Sequence, residues 1–354
     1  MTIGAEAVYT TRERIMRSAD IKMPAYKSEE VDEFIRAASR QVDRLCHRGD
    51  ATRPGFAPWQ GTITYDWPVS NNDGAYRFWL NQNSLYSLTT AVSGGETITS
   101  SCLLRPETGP PYSSIIVTRS SGDLFSLGSG TGENSLAITG VWCGAPVQER
   151  SRAVWQLSSG VNDSTTTLPA NALISVGDIL RVDSERMIVQ ERSWSYSGQT
   201  GTLASSNSAV TLSVSDGSVY LVGETLLIGS ERVLVVDIAG NDLTIRRAVD
   251  GSVLAAHSFG AIFWSRTFTV ERGSLGTTAA SHSSGAPVYI YKPPAPIEQL
   301  TIAYVIDQNA QENSAYARTV SAGDDARELT SRGLKALEER VWSAYGRKLR
   351  HRAV

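Results

Sequence analysis

Two segments of this 354-residue chain each occur twice in the sequence, and the two copies are nested. Val176–Val189 (VGDILRVDSERMIV) returns as Val222–Val235 (VGETLLIGSERVLV), with seven of fourteen positions identical. Thr244–Trp264 returns as Thr269–Tyr289, with eight of twenty-one positions identical. Both first halves precede both second halves, whereas a tandem duplication would alternate them. The order predicts one small β module inserted into a loop of its own copy.

The repeat sets the expected boundaries of the β region. Each first half alternates apolar and polar residues around a central Ser-Glu step, which predicts a hairpin with a short turn. We expect two superimposable modules, each a small β-barrel or sandwich. The outer module comprises residues 176–191 and 267–291, and the inner module comprises residues 222–264. Both lie in an inserted β region of residues 165–292.

The first part of the chain has a helical pattern. In residues 1–60, Thr10–Glu13 fits a capping box, and a helix is predicted from about Ser28 to Arg48. Residues 61–150 consist of short β-branched and aromatic runs bounded by Gly, Asn, Asp and Pro, which predict a β-strand region.

The helical pattern resumes in residues 293–354, after a stiff proline-rich boundary at Lys292–Pro296. One face of the first helix there carries Ile297, Leu300, Thr301, Tyr304 and Val305. The expected fold class is therefore α+β. The N- and C-terminal helices would form one bundle that carries a β domain and the large, internally duplicated all-β insertion.

Composition excludes several classes of protein. A hydrophobic content of 41% and a charged content of 19% indicate an ordered globular chain. The net charge of −3 gives the chain as a whole no strong attraction to nucleic acid or anionic membranes. Cys46, Cys102 and Cys143 are odd in number and widely spaced, which argues against a disulfide framework or a zinc site. No run approaches the length of a membrane span, and the N-terminus lacks the apolar core of a signal peptide.

Six polar residues recur in the repeat and are the candidates for chemistry: Glu185, Arg186, Glu231, Arg232, His257 and His282. The histidines could be ligands or bases, but no Cys, Asp or Glu repeats beside them in sequence at ligand spacing. We interpret them as turn residues that bond backbone and fix a loop. Adjacent strand residues point to opposite faces, so the Glu-Arg steps are expected to pair across the hairpin.

Motifs of catalysis and cofactor binding are missing from the sequence. It has no GxSxG, HExxH or CxxC, and no GKS or GKT follows its Gly-rich loops. The expectation is a non-enzymatic protein with no catalytic, cofactor-binding or metal-binding residues.

The C-terminus carries a basic tail with no acidic residue in its last nine positions. This tail is either a solvated helix end, a DNA-facing segment, or a docking peptide for an acidic groove on a partner protein. We favour docking, through Arg347, Lys348, Leu349, Arg350, His351 and Arg352.

Two short motifs carry a family resemblance. Ala37–Arg40 with Asp43 (AASR..D) lies in the predicted helix, and Ile138–Gly144 (ITGVWCG) lies in a predicted strand. The pair resembles the head-tail adaptor, or head-completion connector, proteins of long-tailed phages. That family has an AASR..D helix before a strand of the form V-T-G-x-W/F-G, from which Cys143 is a departure. The duplicated region is similar to the β insertion in adaptor-like proteins of phages that infect actinobacteria.

The resemblance implies a structural role in the virion, at the neck between head and tail. Family members form a homo-oligomeric ring of twelve copies that joins the portal protein to a tail-side stopper or neck protein. The ring extends the channel through which double-stranded DNA passes without sequence recognition. The family grips the portal with its C-terminal segment. The resemblance implies assembly in the host cytoplasm and no membrane partner.

Two other classes remain open from the residues alone. One is a surface- or carbohydrate-binding β protein of a virion, with the repeats as binding modules. The other is a hydrolase hidden in the β region, for which His257 and His282 would be the first residues to test.

Overall fold

The computed structural model describes residues 6–19, 28–50, 52–66, 77–81, 83–117, 125–127, 132–313, 319–320, 327–328 and 332–347. Within those ranges it contains four α-helices: α1 (Arg12–Ala19), α2 (Ser28–Cys46), α3 (Ala295–Asn313) and α4 (Arg332–Tyr345). None of these helices is both long and apolar enough to cross a membrane.

Most of the regular structure is β. The strands, in chain order, are β1 (Trp59–Tyr65), β2 (Arg77–Trp79), β3 (Leu85–Ser93), β4 (Glu96–Thr97), β5 (Cys102–Arg105), β6 (Ser114–Val117), β7 (Leu136–Trp142), β8 (Gln148–Arg150), β9 (Gln156–Leu157), β10 (Thr167–Asn171), β11 (Ile179–Val182), β12 (Glu185–Leu203), β13 (Thr211–Ser213), β14 (Thr225–Ile228), β15 (Glu231–Ala239), β16 (Asp242–Arg246), β17 (His257–Glu271), β18 (Val288–Lys292), β19 (Thr319–Val320) and β20 (Arg327–Glu328).

The strands form antiparallel sheets of different sizes. The largest has eleven strands, with a main path in the order β13-β16-β15-β14-β17-β12-β11-β18-β8 and with β9 and β10 beside it. Upstream in sequence, β1-β7-β3-β4 and β2-β6-β5 form two small sheets that share one core. The hairpin between β3 and β4 turns at Gly94 and Gly95, both with positive φ, a conformation that glycine adopts readily.

The expected α+β helical bundle is wrong. The chain is mostly β, and its helices do not form a separate core. The core around α2 and α3 also takes in Val176, Ile179, Ile188, Leu275 and Tyr291 from the duplicated region. The apolar stripes of these helices are therefore satisfied partly by sheet residues, and the outer module belongs to the main body of the protein.

Individual helices follow the sequence pattern closely. The face of α3 that was predicted from Ile297, Leu300, Thr301, Tyr304 and Val305 is buried throughout. The periodicity of α2 predicts an apolar stripe of Val31, Ile35, Ala38, Val42 and Leu45; the first four are buried, Leu45 is half-buried, and α2 ends two residues before Arg48.

The expected capping box at Thr10–Glu13 is wrong by one residue. Helix α1 begins at Arg12, and the side chain of Thr11 accepts a hydrogen bond from the Arg14 amide. Glu13 does not reach back to a cap, because its carboxylate is buried and accepts a hydrogen bond from the amide of Val176, 3.0 Å away.

The two copies have separate cores but share two long strands. The cluster of the outer copy includes Leu180, Met187 and Phe268, and the cluster of the inner copy includes Leu226, Val233 and Ile262. Strand β12 runs from the outer copy into the inner one, and β17 returns. The inner copy therefore continues the sheet of the outer copy along a two-stranded ribbon.

Both predicted hairpins are present. Strands β11 and β12 pair up to Val182 and Glu185, and β14 and β15 pair up to Ile228 and Glu231, which leaves a two-residue turn in each copy. The first turn residue has positive φ in both copies, at Asp183 and at Gly229. Residues Asp and Gly accept this left-handed geometry more readily than most.

Candidate functional site

Glu185 is the centre of a buried polar cluster in the outer module, where it is fully buried at the start of β12. Its Oε1 accepts hydrogen bonds from Nε of Arg272 and from the amide of Gly273, both 2.8 Å away. Its Oε2 accepts from Nη2 of Arg272 at 2.8 Å and from the amide of Ala280 at 3.0 Å. Nε2 of His282 lies 2.8 Å from the same oxygen. We call this group the outer clasp.

Glu231 has the same surroundings in the inner module. Its Oε1 accepts from Nε of Arg247 at 2.7 Å and from the amide of Ala248 at 3.1 Å. Its Oε2 accepts from Nη2 of Arg247 at 2.7 Å and from the amide of Ala255 at 3.1 Å. Nε2 of His257 lies 2.9 Å from that oxygen. This is the inner clasp, and it repeats the outer clasp group by group.

Each clasp arginine also holds a neighbouring loop. Nη1 of Arg272 donates to the carbonyl oxygens of Asn162 and Thr165, both at 2.7 Å. Nη1 of Arg247 donates to the carbonyl of Ala204 at 2.9 Å, and lies within hydrogen-bond reach of the Ser206 and Ala209 carbonyls. One guanidinium thus ties three chain segments together in each copy.

The clasps keep both carboxylates ionised. Burial opposes ionisation most strongly, but the hydrogen bonds from Arg272, from the amides of Ala280 and Gly273, and from His282 overcome it and lower the pKa of Glu185 to about 2. Burial likewise opposes ionisation of Glu231, yet the donors of the inner clasp lower its pKa to about 2.

This arrangement is unsuited to acid-base or nucleophilic work. A carboxylate offers about four lone-pair positions, and each clasp supplies five donors to it. A carboxylate with such a low pKa is a weak base, and none of its oxygen capacity remains for a substrate. The clasp geometry favours a role in holding loops together.

The predicted roles of the repeated residues need correction. The side chains of His257 and His282 bond carboxylates, whereas they were expected to bond backbone. Glu185 and Glu231 do not pair across their hairpins. Glu185 binds Arg272, which comes directly after β17, and Glu231 binds Arg247, which comes directly after β16. The histidines lie 26 and 97 residues from their glutamates, which is why no acid repeats beside them in sequence.

Arg186 and Arg232 hold the turn that follows each clasp through their backbone. The Arg186 amide donates to Oγ1 of Thr277, and the Arg232 amide donates to Oγ of Ser252, both at 2.9 Å. The Arg186 carbonyl accepts from the Ser274 amide at 2.8 Å.

Sequence reasoning missed Arg247 and Arg272. A signal was present, because these two arginines are identical in the aligned repeats. A repeated arginine is a natural partner for a repeated glutamate.

The turns after the clasps pack against the rest of the protein in different ways. In the outer copy, Leu275 is buried in the main core, and its carbonyl accepts a hydrogen bond from the Gln60 amide at 2.8 Å. In the inner copy, the equivalent residue is Asp250, which is buried and accepts from Nε of Arg17 in α1 at 2.6 Å. One turn packs through apolar contact and its copy through charge.

A network of charged side chains surrounds that second contact. Arg192 on β12 lies 3.1 Å from Glu13 and 3.5 Å from Asp250. Arg12 bonds Asp32 on α2 and Glu191 on β12. These long-range pairs join α1, α2 and both modules, and the sequence pattern does not predict them.

The two motifs that resemble the adaptor family meet at Gly55. The carboxylate of Asp43 accepts from the hydroxyl of Tyr9 at 2.5 Å and from the Gly55 amide at 3.2 Å. The Gly144 amide donates to the Gly55 carbonyl at 2.8 Å. Space is tight here, since a Cβ on Gly144 would lie 2.6 Å from that oxygen. Burial raises the pKa of Asp43 to about 6, although Arg40 and the hydrogen bonds from Tyr9 and Gly55 lower it.

The basic tail is mostly beyond the described residues. Arg347 is described, and its amide donates to the Cys46 carbonyl at 3.0 Å, which joins the end of α4 to the end of α2. The other five predicted docking residues, Lys348, Leu349, Arg350, His351 and Arg352, lie outside the described residues.

No protein family, curated protein or solved structure matches this chain. Among the described residues, no cluster of three or more His, Cys, Asp or Glu side chains is arranged to hold a metal ion.

Proposed function

We propose that this chain is a non-enzymatic structural protein of a phage virion. In this proposal it forms a homo-oligomeric ring at the neck, joins the portal to a tail-side stopper or neck protein, and extends the DNA exit channel. DNA passes through without sequence recognition, and no cofactor takes part.

The junction at Gly55 is the observation that carries the proposal. The two motifs on which the family resemblance rests are about a hundred residues apart in sequence, yet both bond Gly55. The resemblance therefore involves one contiguous structural unit of α2, the following turn and β7. In this proposal that unit is the framework shared with the adaptor proteins.

The clasps support the non-enzymatic part of the proposal. The residues that look most like chemistry in the sequence are fully occupied in holding loops. Loops fixed in this way suit a protein whose work is to keep a rigid surface.

Portal docking is assigned to the basic tail, Arg347 to Arg352. The tail follows α4, whose end is tied to α2 through Arg347 and Cys46. The cationic side chains of the tail would bind an acidic groove on the portal through charge-assisted hydrogen bonds.

The decisive experiment measures subunit number by native mass spectrometry, with the chain alone and mixed with the portal protein encoded in the same genome. The expected result is a portal complex that carries a ring of this chain. A chain that stays monomeric and never joins the portal would contradict the proposal.

A matched variant tests the tail. Deletion of residues 348–354 retains the Arg347 amide that bonds Cys46. The truncated chain should keep its thermal unfolding profile and lose portal binding. Undiminished binding would remove the tail from the proposal while leaving the ring in place.

A second candidate is a surface- or carbohydrate-binding protein of the virion. Tyr196 on β12 and Phe259 on β17 are 51% and 79% exposed and could stack against sugar rings. Binding of purified host-surface polysaccharide by the wild-type chain, lost in Tyr196→Ala, would favour this candidate over the connector.

A further inference from the structure

The clasp end of the inner module carries an exposed apolar surface. We define the clasp end as residues 204–210 and 252–260. Val210, Val253 and Phe259 are 41%, 69% and 79% exposed. Each lies within two residues of a group that the inner clasp holds, namely Ala209, Ala255 and His257. The three apolar side chains therefore belong to one end of the module.

The outer module shows that the fold does not require these apolar residues. The amides of Ile245 and Val270 bond the carbonyls of Val210 and Thr166 respectively, which makes those two residues equivalent. In the aligned repeats Val253 corresponds to Thr278 and Phe259 corresponds to Ser284. All three outer counterparts are polar and exposed. The same scaffold thus exposes three apolar side chains in the inner copy at positions where the outer copy exposes polar ones.

Phe259 is held in an unfavourable backbone conformation. Its φ is 50°, in the left-handed region that a bulky side chain rarely adopts. In the outer copy the residue with positive φ in this loop is a glycine, Gly285. Phe259 also lies at an irregularity in the pairing of β12 with β17, where an extra residue can redirect a side chain. An exposed aromatic kept at such a backbone cost points to a binding role.

The absence of charged residues limits which kind of partner could bind this surface. Residues 204–210 and 252–260 contain no Lys, Arg, Asp or Glu. Without cations the surface offers no phosphate contacts, so DNA and anionic lipid are poor occupants. The exposed Asp183 of the outer turn is also replaced by Gly229 in the inner turn. A neutral apolar surface meets an identical surface without like-charge repulsion, and two-fold contact between identical surfaces is the commonest symmetric arrangement.

We propose that two copies of this chain pair through their inner modules, clasp end against clasp end, with Phe259 at the centre of the contact. Aromatic side chains are enriched at the centres of such contacts. This pairing would be an additional contact between copies in the proposed ring, but the inference does not rest on the ring being formed.

The test uses the full chain and the variant Val210→Thr/Val253→Thr/Phe259→Gly. The first two changes are the outer-copy residues, and glycine suits the positive φ at position 259, so the variant should fold at least as well. Mass photometry over a concentration series should show a dimer of the 38.2 kDa chain. The variant should dissociate at concentrations at least about tenfold higher than the wild type. Val154→Thr, a change at a valine that is 50% exposed elsewhere, should leave the dimer unchanged.

A crosslink identifies the contact. The photoreactive analogue p-benzoylphenylalanine at position 259 should crosslink to residues 204–210 or 252–260 of a second copy. A wild-type chain that stays monomeric, a dimer unaffected by the triple change, or crosslinks only to other surfaces would overturn the inference. A portal-bound ring would still support the proposed function in each of those cases, and polysaccharide binding through Phe259 would favour the second candidate.

Discussion

The outer and inner modules share a framework and differ in what surrounds it. Both have a two-residue hairpin, a buried glutamate, and the same five donors to its carboxylate. They differ in the turn that packs against the body, where Leu275 in one copy corresponds to Asp250 in the other. They also differ at three exposed positions at the end of the module, which are polar in the outer copy and apolar in the inner one.

This division shows which residues specify the fold and which specify the contacts. The glutamate, arginine and histidine that kept their identity in both copies satisfy buried polar groups, and leaving one of those groups unpaired is costly anywhere in a protein. Two positions that diverged, Leu275/Asp250 and Ser284/Phe259, lie where each copy has different surroundings. At these positions, repetition marks the framework and divergence marks contact surfaces.

The largest expected effect comes from removing a clasp charge. Glu185→Gln should leave the Arg272 guanidinium buried without its counter-charge, and should lower the free energy of unfolding by about 3 to 4 kcal/mol. Glu231→Gln should cost about as much, because the donor sets are the same. Urea unfolding followed by tryptophan fluorescence provides the measurement.

Asp163→Asn is the control for those substitutions, since Asp163 is an exposed acid on a loop beside the outer clasp. It should change the unfolding free energy by less than about 0.5 kcal/mol. If one clasp substitution were as mild as the control, the two clasps would not be energetically equivalent.

Acid should weaken both modules together. The folded-state pKa of each clasp glutamate is about 2, below its ordinary value near 4.5. The stabilisation is therefore fully present above pH 4.5 and is lost as the pH falls towards 2, at about 2 kcal/mol for each clasp once solvent screening is allowed for. Unfolding free energies measured between pH 2 and 5 should show this slope, and Glu185→Gln should remove about half of it.

Asp43 should make stability depend on pH in the opposite direction to the clasp glutamates. Its folded-state pKa of about 6 is above the ordinary value of 3.8, so folding favours the protonated form. Stability should therefore fall as the pH rises from about 4 to 6, and Asp43→Asn should flatten that part of the profile.

The packing turns should differ in their response to salt. Leu275→Ala removes buried apolar contact and should cost about 2 kcal/mol at any ionic strength. Asp250→Asn weakens charged contacts with Arg17 and Arg192, and should cost about 1 to 2 kcal/mol at low salt and less at high salt. Urea unfolding of both variants at 20 mM and 500 mM NaCl compares them directly. Equal salt dependence would contradict the distinction between an apolar and a charged attachment.

Local features of the fold could be predicted from the sequence where one periodicity decides the structure. The buried face of α3 and the two-residue hairpins follow from patterns within ten or so residues. The error at the capping box has a long-range cause, because Glu13 contacts Val176 and Arg192 and is not available to cap α1.

The fold class could not be predicted, because it depends on which surfaces the helices share with the sheet. Nothing local to Ile179, Ile188 or Leu275 shows that they pack in the core of α2 and α3. The clasps are not local either, since Glu185 and Arg272 are 87 residues apart, and the repeated arginine was the one signal that could have pointed to the pairing. Alignment of the repeats identified Glu185 and His282 as important but assigned them the wrong partners.

The smallest expected effect comes from making the inner clasp resemble the outer one. In the outer copy, Nδ1 of His282 lies 2.8 Å from the carboxylate of Asp183, so both ring nitrogens contact carboxylates. The inner copy has Gly229 at that turn position, and a Cβ there would lie 3.4 Å from the His257 ring.

Gly229→Asp should supply the missing carboxylate at a backbone conformation that Asp183 already adopts. The free energy of unfolding, measured in urea, should rise by only about 0.5 kcal/mol. The gain is small because the new carboxylate is exposed and because aspartate is less favourable than glycine at a positive φ. Asp183→Gly should lose a similar amount from the outer copy. If Gly229→Asp instead destabilised the protein while Asp183→Gly was neutral, the turn residue would act through backbone conformation alone, and the second carboxylate would contribute nothing to the clasp.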